Sequence, residues 1–384
     1  MFMSLRVLIT GGAGFIGRHL GARLCARGCR ITVLDSFSEQ IHGINPNTDL
    51  TAYAERTIVG DISDPTAVKA ALEDQDAVVH LAAETGTGQS MYEVTRYERV
   101  NINGTAVLIE AIANQAPQTV RRIVVASSRA VYGEGAYTCS THGVVFPTAR
   151  TAEDLSCGQF EPRCPQCSSV CSWAQTTEAA PFSPSSFYGL SKQVQEQMVL
   201  MFAKHLHLSA YALRYQNVYG PGQSLLNPYT GILAIFSNLA RQGKDINVFE
   251  DGLESRDFVY IDDVVDATAR CVLSEAKAVC SLNVGSGTRT SVLDVANSIV
   301  SYFRSASNVQ VSGAYRLGDI RHNVADIASA HKQLGFEPKW DFDKGLKSFL
   351  EWAAGQDAVE TGFERSLTEM RDRGLLLSAD QIHA

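Results

Sequence analysis

Short β-branched and apolar runs alternate with longer amphipathic stretches through the N-terminal part of the chain. The runs predict strands at Arg6–Thr10, Arg30–Asp35, Arg56–Gly60, Ala77–Leu81 and Arg122–Ser127. Between them, Ile16–Arg27, Pro65–Glu73 and Val100–Asn114 carry apolar residues at helical spacing. Strands separated by helices read as βαβ units, so the expected class is α/β with a doubly wound parallel sheet. A helical pattern resumes between Ser185 and His205, and Ser209–Arg214 reads as a further strand. The short mixed elements that follow predict a smaller C-terminal lobe. From about Tyr137 to Ser183, cysteine, proline and serine displace the long apolar runs, which marks an insertion on the main fold.

Composition narrows the partners. The chain has 384 residues, a net charge of −8 and scattered rather than clustered Lys and Arg, so neither nucleic acid nor an anionic membrane is expected as a partner. No apolar run approaches the roughly 18 residues that span a bilayer, and the few residues before Val7 are too short for a signal peptide. A cytoplasmic protein is expected. Its nine cysteines then read as free thiols or metal ligands rather than disulfides.

The turn between the first strand and the first helix reads Thr10-Gly11-Gly12-Ala13-Gly14-Phe15-Ile16-Gly17. Glycines there permit a tight turn and close backbone approach to a pyrophosphate at a helix N-terminus. Asp35 ends the next strand, where a carboxylate binds the adenosine ribose hydroxyls and repels a 2′-phosphate. NAD is therefore the expected cofactor, rather than NADP. Asp61, after the third strand, reads either as an acceptor for the adenine amino group or as a helix N-cap near Pro65.

Ser128 stands at the end of the fifth strand, on the carboxyl edge where open α/β sheets bind ligands. Tyr188 and Lys192 are four apart at the start of a helix, which puts phenol and ammonium on one face. A nearby ammonium and a cationic nicotinamide favour phenolate, making Tyr188 a general base, while Ser128 orients the same substrate oxygen.

Together the glycine loop, Ser127-Ser128-x-x-Val131-Tyr132-Gly133 and Tyr188-x-x-x-Lys192 resemble the extended short-chain dehydrogenase/reductases. So do His80-Leu81-Ala82-Ala83, Asn101-Ile102-Asn103-Gly104-Thr105, Arg214-Tyr215-Gln216-Asn217, Arg256-Asp257-Phe258-Val259-Tyr260 and Gly318-Asp319-Ile320-Arg321. The resemblance implies a Rossmann-like NAD-binding domain over 1–213, with the insertion at 137–183, and a mainly nucleotide-sugar-binding lobe over 214–384. Segments such as 258–285 return to the first domain. It further implies that Ile62, Leu81, Ala82, Ala83 and Asn101 line the cofactor. Asn217, Arg256, Arg316 and Asp319 then hold a nucleotide diphosphate and its ribose, although each arginine also reads as an ion-pair partner. A homodimer through the helices at 100–114 and 189–205 is part of the same expectation.

The two residues after Ser128 separate the reactions of this family. Related dehydratases carry an acid pair there, and Arg129 and Ala130 supply none for water elimination. What remains suits a nucleotide-sugar 4-epimerase, and the cysteine-rich insertion resembles the subgroup containing dTDP-L-rhamnose 4-epimerases. UDP-glucose or UDP-uronate 4-epimerases, a nucleotide-sugar 4-ketoreductase and a non-enzymatic dinucleotide sensor are the alternatives. Within the insertion, Cys139-x-x-His142 and Cys164-x-x-Cys167 have the spacing of a structural zinc clamp. The charged stretch from Gly355 onward has helical texture and no role legible in its residues.

Overall fold

Strands whose apolar residues run unbroken, such as Val7-Leu8-Ile9 and Val78-Val79, are buried on both faces, as a parallel sheet between two helical layers requires. The computed structural model describes residues 4–44, 46–225, 227, 231–357 and 362–378. Seven strands form its central sheet: β1 (Arg6–Thr10), β2 (Arg30–Asp35), β3 (Arg56–Val59), β4 (Ala77–His80), β5 (Arg122–Ser128), β6 (Ser209–Tyr215) and β7 (Val279–Val284). Their order is β7-β6-β5-β4-β1-β2-β3, and every pairing is parallel. The expected α/β doubly wound, Rossmann-like sheet is borne out.

The helices divide between its faces. α1 (Phe15–Ala26) covers one face, while α2 (Pro65–Leu72), α3 (Gly104–Ala113) and α4 (Phe187–His205) cover the other. Chain beyond residue 213 also serves the sheet: β7 completes its edge, and α5 (Ile261–Leu273) packs beside α1. The helix predicted at 100–114 is two pieces, a wide turn over Glu98–Asn103 followed by α3. Such turns recur at functional sites, and this one carries buried Asn101.

Residues 137–183 carry a small antiparallel sheet of Tyr137–Cys139, Gly143–Val145 and Ser172–Trp173. Its apolar cluster is only Tyr137, Cys139, Val145, Cys164 and Cys171. From the stretch beginning at Gly355, residues 358–361 and 379–384 lie outside the described residues. The remainder forms a helix at Phe363–Asp372 and a strand, Leu376–Leu377, which pairs with Tyr315–Arg316. Among the described residues no helix is long and apolar enough to cross a membrane.

Candidate active site

The chain order reverses at β1, which lies between β2 and β4, and this is where doubly wound sheets open a crevice. A cleft of about 680 Å³ occupies it. The floor is tied by neutral His80, which burial, and then the charge of Lys192, push down to about 3. Its ring nitrogens lie 2.8 Å from the Thr10 hydroxyl and 3.0 Å from that of Thr105.

The glycine loop has the close approaches a dinucleotide needs. Gly11 has φ +68°, and a Cβ there would lie 2.7 Å from the Ala82 amide nitrogen. At Gly17 a Cβ would lie 2.5 Å from the Gly11 carbonyl oxygen. No side chain caps α1, whose N-cap is Gly14, so its first backbone N–H groups are left for an anion. Gly11, Gly14, Phe15, Ile16, Gly17, Asp35, Asp61, Ile62, Leu81, Ala82 and Ala83 all line the cleft. One Asp35 oxygen accepts from the Ala13 amide and the other from that of Phe37, both at 2.9 Å. Oδ2, which takes the Ala13 amide, retains a lone-pair direction for a ribose hydroxyl, while Oδ1 also faces His42 Nε2 at 3.5 Å. These residues fit NAD.

Two expectations change. Asp61 is not a helix cap: it accepts from the Ser63 amide and hydroxyl, while Asp64, directly before Pro65, accepts from the Thr66 amide and caps α2. Asn101 is not part of the cleft wall. Fully buried behind it, its side-chain amide donates to the Glu84 carbonyl at 3.0 Å and to the Ser191 hydroxyl at 2.9 Å, clamping the segment after β4 to α4.

Ser128, the last residue of β5, accepts from the Ala130 amide at 3.1 Å. Ser186 caps α4, and two residues later Tyr188 turns its hydroxyl toward Ser128. Burial raises the Tyr188 phenol, while the hydrogen bond with Ser128 and the charge of Arg129 oppose that rise. Arg129 thus adds its positive charge to the surroundings of Tyr188. Lys192 turns inward and donates to the Ala126 carbonyl at 3.0 Å, and burial pushes its ammonium down to about 7.

On the opposite wall, Arg256 donates to Asp319 at 2.9 Å and Arg316 lies 3.4 Å from the same carboxylate. Burial works against that carboxylate, yet Arg256 and Arg316 hold it well below the usual range. Arg129 donates to the Asn217 side chain at 2.7 Å, and burial, with Arg256 adding to it, lowers its guanidinium to about 10. Ser128, Tyr188, Lys192, Asn217, Arg256, Arg316 and Asp319 thus share one cleft.

The sequence reading missed two residues here. Arg129, used only as evidence against elimination, faces both Tyr188 and the arginine wall. Glu254, two positions before Arg256, lines the cleft 7 % exposed, and its Oε2 has no hydrogen-bond partner among the described residues. Burial and the charge of Glu250 push it up to about 7.

Away from the cleft, the ligand atoms of Cys139, His142, Cys164 and Cys167 all lie within 4.8 Å of one another.

The model of the NAD dependent epimerase/dehydratase family matches residues 7–285. The dTDP-L-rhamnose 4-epimerase of Burkholderia thailandensis is 40 % identical over 351 residues, covering 91 % of this chain and 95 % of that protein. MoeE5, solved in complex with UDP-glucuronic acid and NAD, superposes with a TM-score of 0.72 at 28 % identity, over 91 % of this chain and 99 % of that one. The UDP-glucose 4-epimerase of Thermotoga maritima, solved with UDP-glucose, gives 0.72 at 27 % identity over the same shares.

Proposed function

Because the chain belongs to the NAD-dependent epimerase/dehydratase family, we propose that it is a nucleotide-sugar 4-epimerase whose substrate is dTDP-L-rhamnose. The observation that carries this reading is one cleft joining the glycine loop and Asp35 to Ser128, Tyr188 and Lys192, with Arg129 and Ala130 where elimination would need an acid pair. The relative at 40 % identity supports the choice of sugar.

Gly11, Gly14, Phe15, Ile16 and Gly17 hold the pyrophosphate end of NAD, Asp35 its adenosine ribose, and Asp61, Ile62, Leu81, Ala82 and Ala83 its adenine side and flank. Bound NAD supplies a reversible two-electron oxidant for C4 of the sugar. Tyr188 takes the C4 hydroxyl proton as that carbon becomes a ketone, and Ser128 donates a hydrogen bond to the same oxygen. Arg129 makes the phenolate less costly, and Lys192, held dry, serves the nicotinamide ribose. Arg256, Arg316 and Asn217 grip the diphosphate and ribose, with Asp319 aligning the two arginines. The keto sugar turns over in the cleft, and Tyr188 returns the proton on reduction of its other face. Turnover then consumes no external oxidant.

A homodimer through α3 and α4 belongs to the same proposal, since Leu190 and Met201 stand exposed on α4. So does one structural zinc at Cys139, His142, Cys164 and Cys167, in a cytoplasm whose reducing pool keeps such cysteines as thiols.

The test is incubation with dTDP-, UDP- and GDP-sugars without added reductant, followed by NMR of the anomeric and C4 protons. Conversion of dTDP-L-rhamnose to its C4 epimer is expected. Preference for UDP-glucose or a UDP-uronate would move the substrate but keep the reaction. Turnover only with stoichiometric reduced cofactor would replace the epimerase by a 4-ketoreductase.

A further inference from the structure

The insertion hardly has a core of its own, yet it reaches the wall opposite Tyr188. Glu134, just before its first strand, lies 3.0 Å from Arg150 and accepts from the backbone amide of Arg321 at 2.8 Å. Tyr137 links this carboxylate to the strand that ends at Cys139, its hydroxyl 3.2 Å from Glu134, and accepts from the His322 amide at 3.0 Å. Arg150 lies 2.8 Å from Glu250 and donates to the Asp319 backbone carbonyl at 3.1 Å. Glu134, Arg150, Glu250 and the Arg321 side chain are at most 4 % exposed, so this is a buried network. Asp319 is the residue whose carboxylate aligns Arg256 and Arg316.

The two ligand pairs, Cys139 with His142 and Cys164 with Cys167, close the other end of this structure. Sγ of Cys139 lies 3.6 Å from Nδ1 of His142 and 3.6 Å from Sγ of Cys167, and Sγ of Cys164 lies 3.5 Å from the same imidazole nitrogen. Tetrahedral zinc, with bonds of about 2.3 Å to sulfur and about 2.0–2.1 Å to nitrogen, sets edges of roughly 3.8 Å between sulfurs and roughly 3.6 Å between sulfur and nitrogen. A disulfide would bring two sulfurs to about 2.05 Å. These three distances match edges of a metal tetrahedron, the full set lies within 4.8 Å, and three thiolates with one imidazole would fill all four positions, as in structural sites.

We infer that zinc at these four residues braces the substrate wall: by ordering the insertion it sets Arg150, and Arg150 sets the Asp319 backbone and thereby Arg256 and Arg316. Arg150 is a positioning residue, and the inference rests on reading that wall as the nucleotide-sugar site. Loss of the metal slackens the grip on the diphosphate while leaving the glycine loop and Tyr188 in place. The consequence is a rise in KM with kcat and bound NAD conserved.

The experiment uses the full-length protein, its Arg150→Lys variant and a Cys164→Ser/Cys167→Ser variant. Elemental analysis gives zinc per chain, steady-state kinetics gives KM and kcat, and calorimetry gives the affinity for dTDP and UDP. One zinc per chain is expected in the parent and in Arg150→Lys, and none in the double variant. Arg150→Lys keeps the charge but loses the forked reach to Asp319, so KM and nucleotide Kd rise about tenfold, the weight of one hydrogen bond from a charged group. The double variant shows the same rise. If it fails to fold, Arg150→Lys still decides whether Arg150 sets the wall, and the parent's metal content decides whether zinc is bound. A parent without zinc overturns the metal site, and zinc with unchanged KM and Kd in Arg150→Lys overturns the brace. If no nucleotide sugar turns over, the epimerase reading fails by itself, and nucleotide affinity still reports on the wall.

Discussion

Replacing Lys192 by Met should stabilise the nucleotide-free protein while abolishing its activity. Lys192 is 3 % exposed, and its ammonium donates to the neutral Ala126 carbonyl. Burial takes it from 10.5 to about 7, which corresponds to about 5 kcal/mol against the charged form. In the unfolded chain this lysine stays protonated to about 10.5, so between the two values the folded chain binds fewer protons. Its contribution to stability is fully present above about 10.5 and is lost as pH falls through about 7. Met matches the stem in volume and carries no charge. Urea unfolding of both proteins from pH 6 to pH 10 should show Lys192→Met more stable by a few kcal/mol at pH 6, allowing for the lost hydrogen bond. That advantage should shrink toward zero as pH approaches 10. Turnover should fall by about 10²-fold or more, the cost of losing a group that positions the cofactor. A stability difference that is the same at every pH would refute the argument, because it would show that the ammonium is solvated in the fold.

Gly17→Ala should cost the protein its NAD, since the new methyl would lie 2.5 Å from the Gly11 carbonyl oxygen and 2.6 Å from Gly12 Cα, both backbone; cofactor content after purification checks it, with a stability loss of about 1–3 kcal/mol. Glu254 in the folded chain keeps a proton that the unfolded chain has released above its ordinary 4.5. Its stabilising contribution is therefore lost as pH rises through about 7, and Glu254→Gln should flatten that part of the profile in thermal melts at stepped pH. Truncation before Phe363 removes the strand paired with Tyr315–Arg316 and the 3.0 Å bond from the Leu317 amide to the Leu375 carbonyl. It should raise KM for the nucleotide sugar with NAD content unchanged, read by kinetics beside cofactor analysis.

What was legible in the sequence was local or periodic. The glycine loop announces itself because a Cβ at Gly11 or Gly17 would meet backbone at 2.5–2.7 Å, which excludes any side chain. The sheet announces itself because strands buried on both faces read as unbroken apolar runs. Tyr188 and Lys192 are visible through helical spacing, but the spacing does not say which way an ammonium turns, and Lys192 turned to the sheet. Asn101 shows the same limit: a motif located it near the cofactor, while packing put it one layer behind. Contacts between distant segments leave no local trace. Arg150 meets Asp319 across 169 positions, and the tail strand meets Arg316 across 60. Glu254 has no signal except its place two residues before Arg256, because only the fold removes its water.

The central claim is that one base, Tyr188, serves both halves of a reaction that begins and ends at C4. The most direct measurement follows dTDP-L-rhamnose deuterated at C4 through turnover with the intact protein and with Tyr188→Phe. The account predicts that the label stays at C4 in both epimers without exchange into water, and that Tyr188→Phe binds the nucleotide sugar but interconverts neither. Loss of the label to solvent, or turnover undiminished without the phenol, would contradict it.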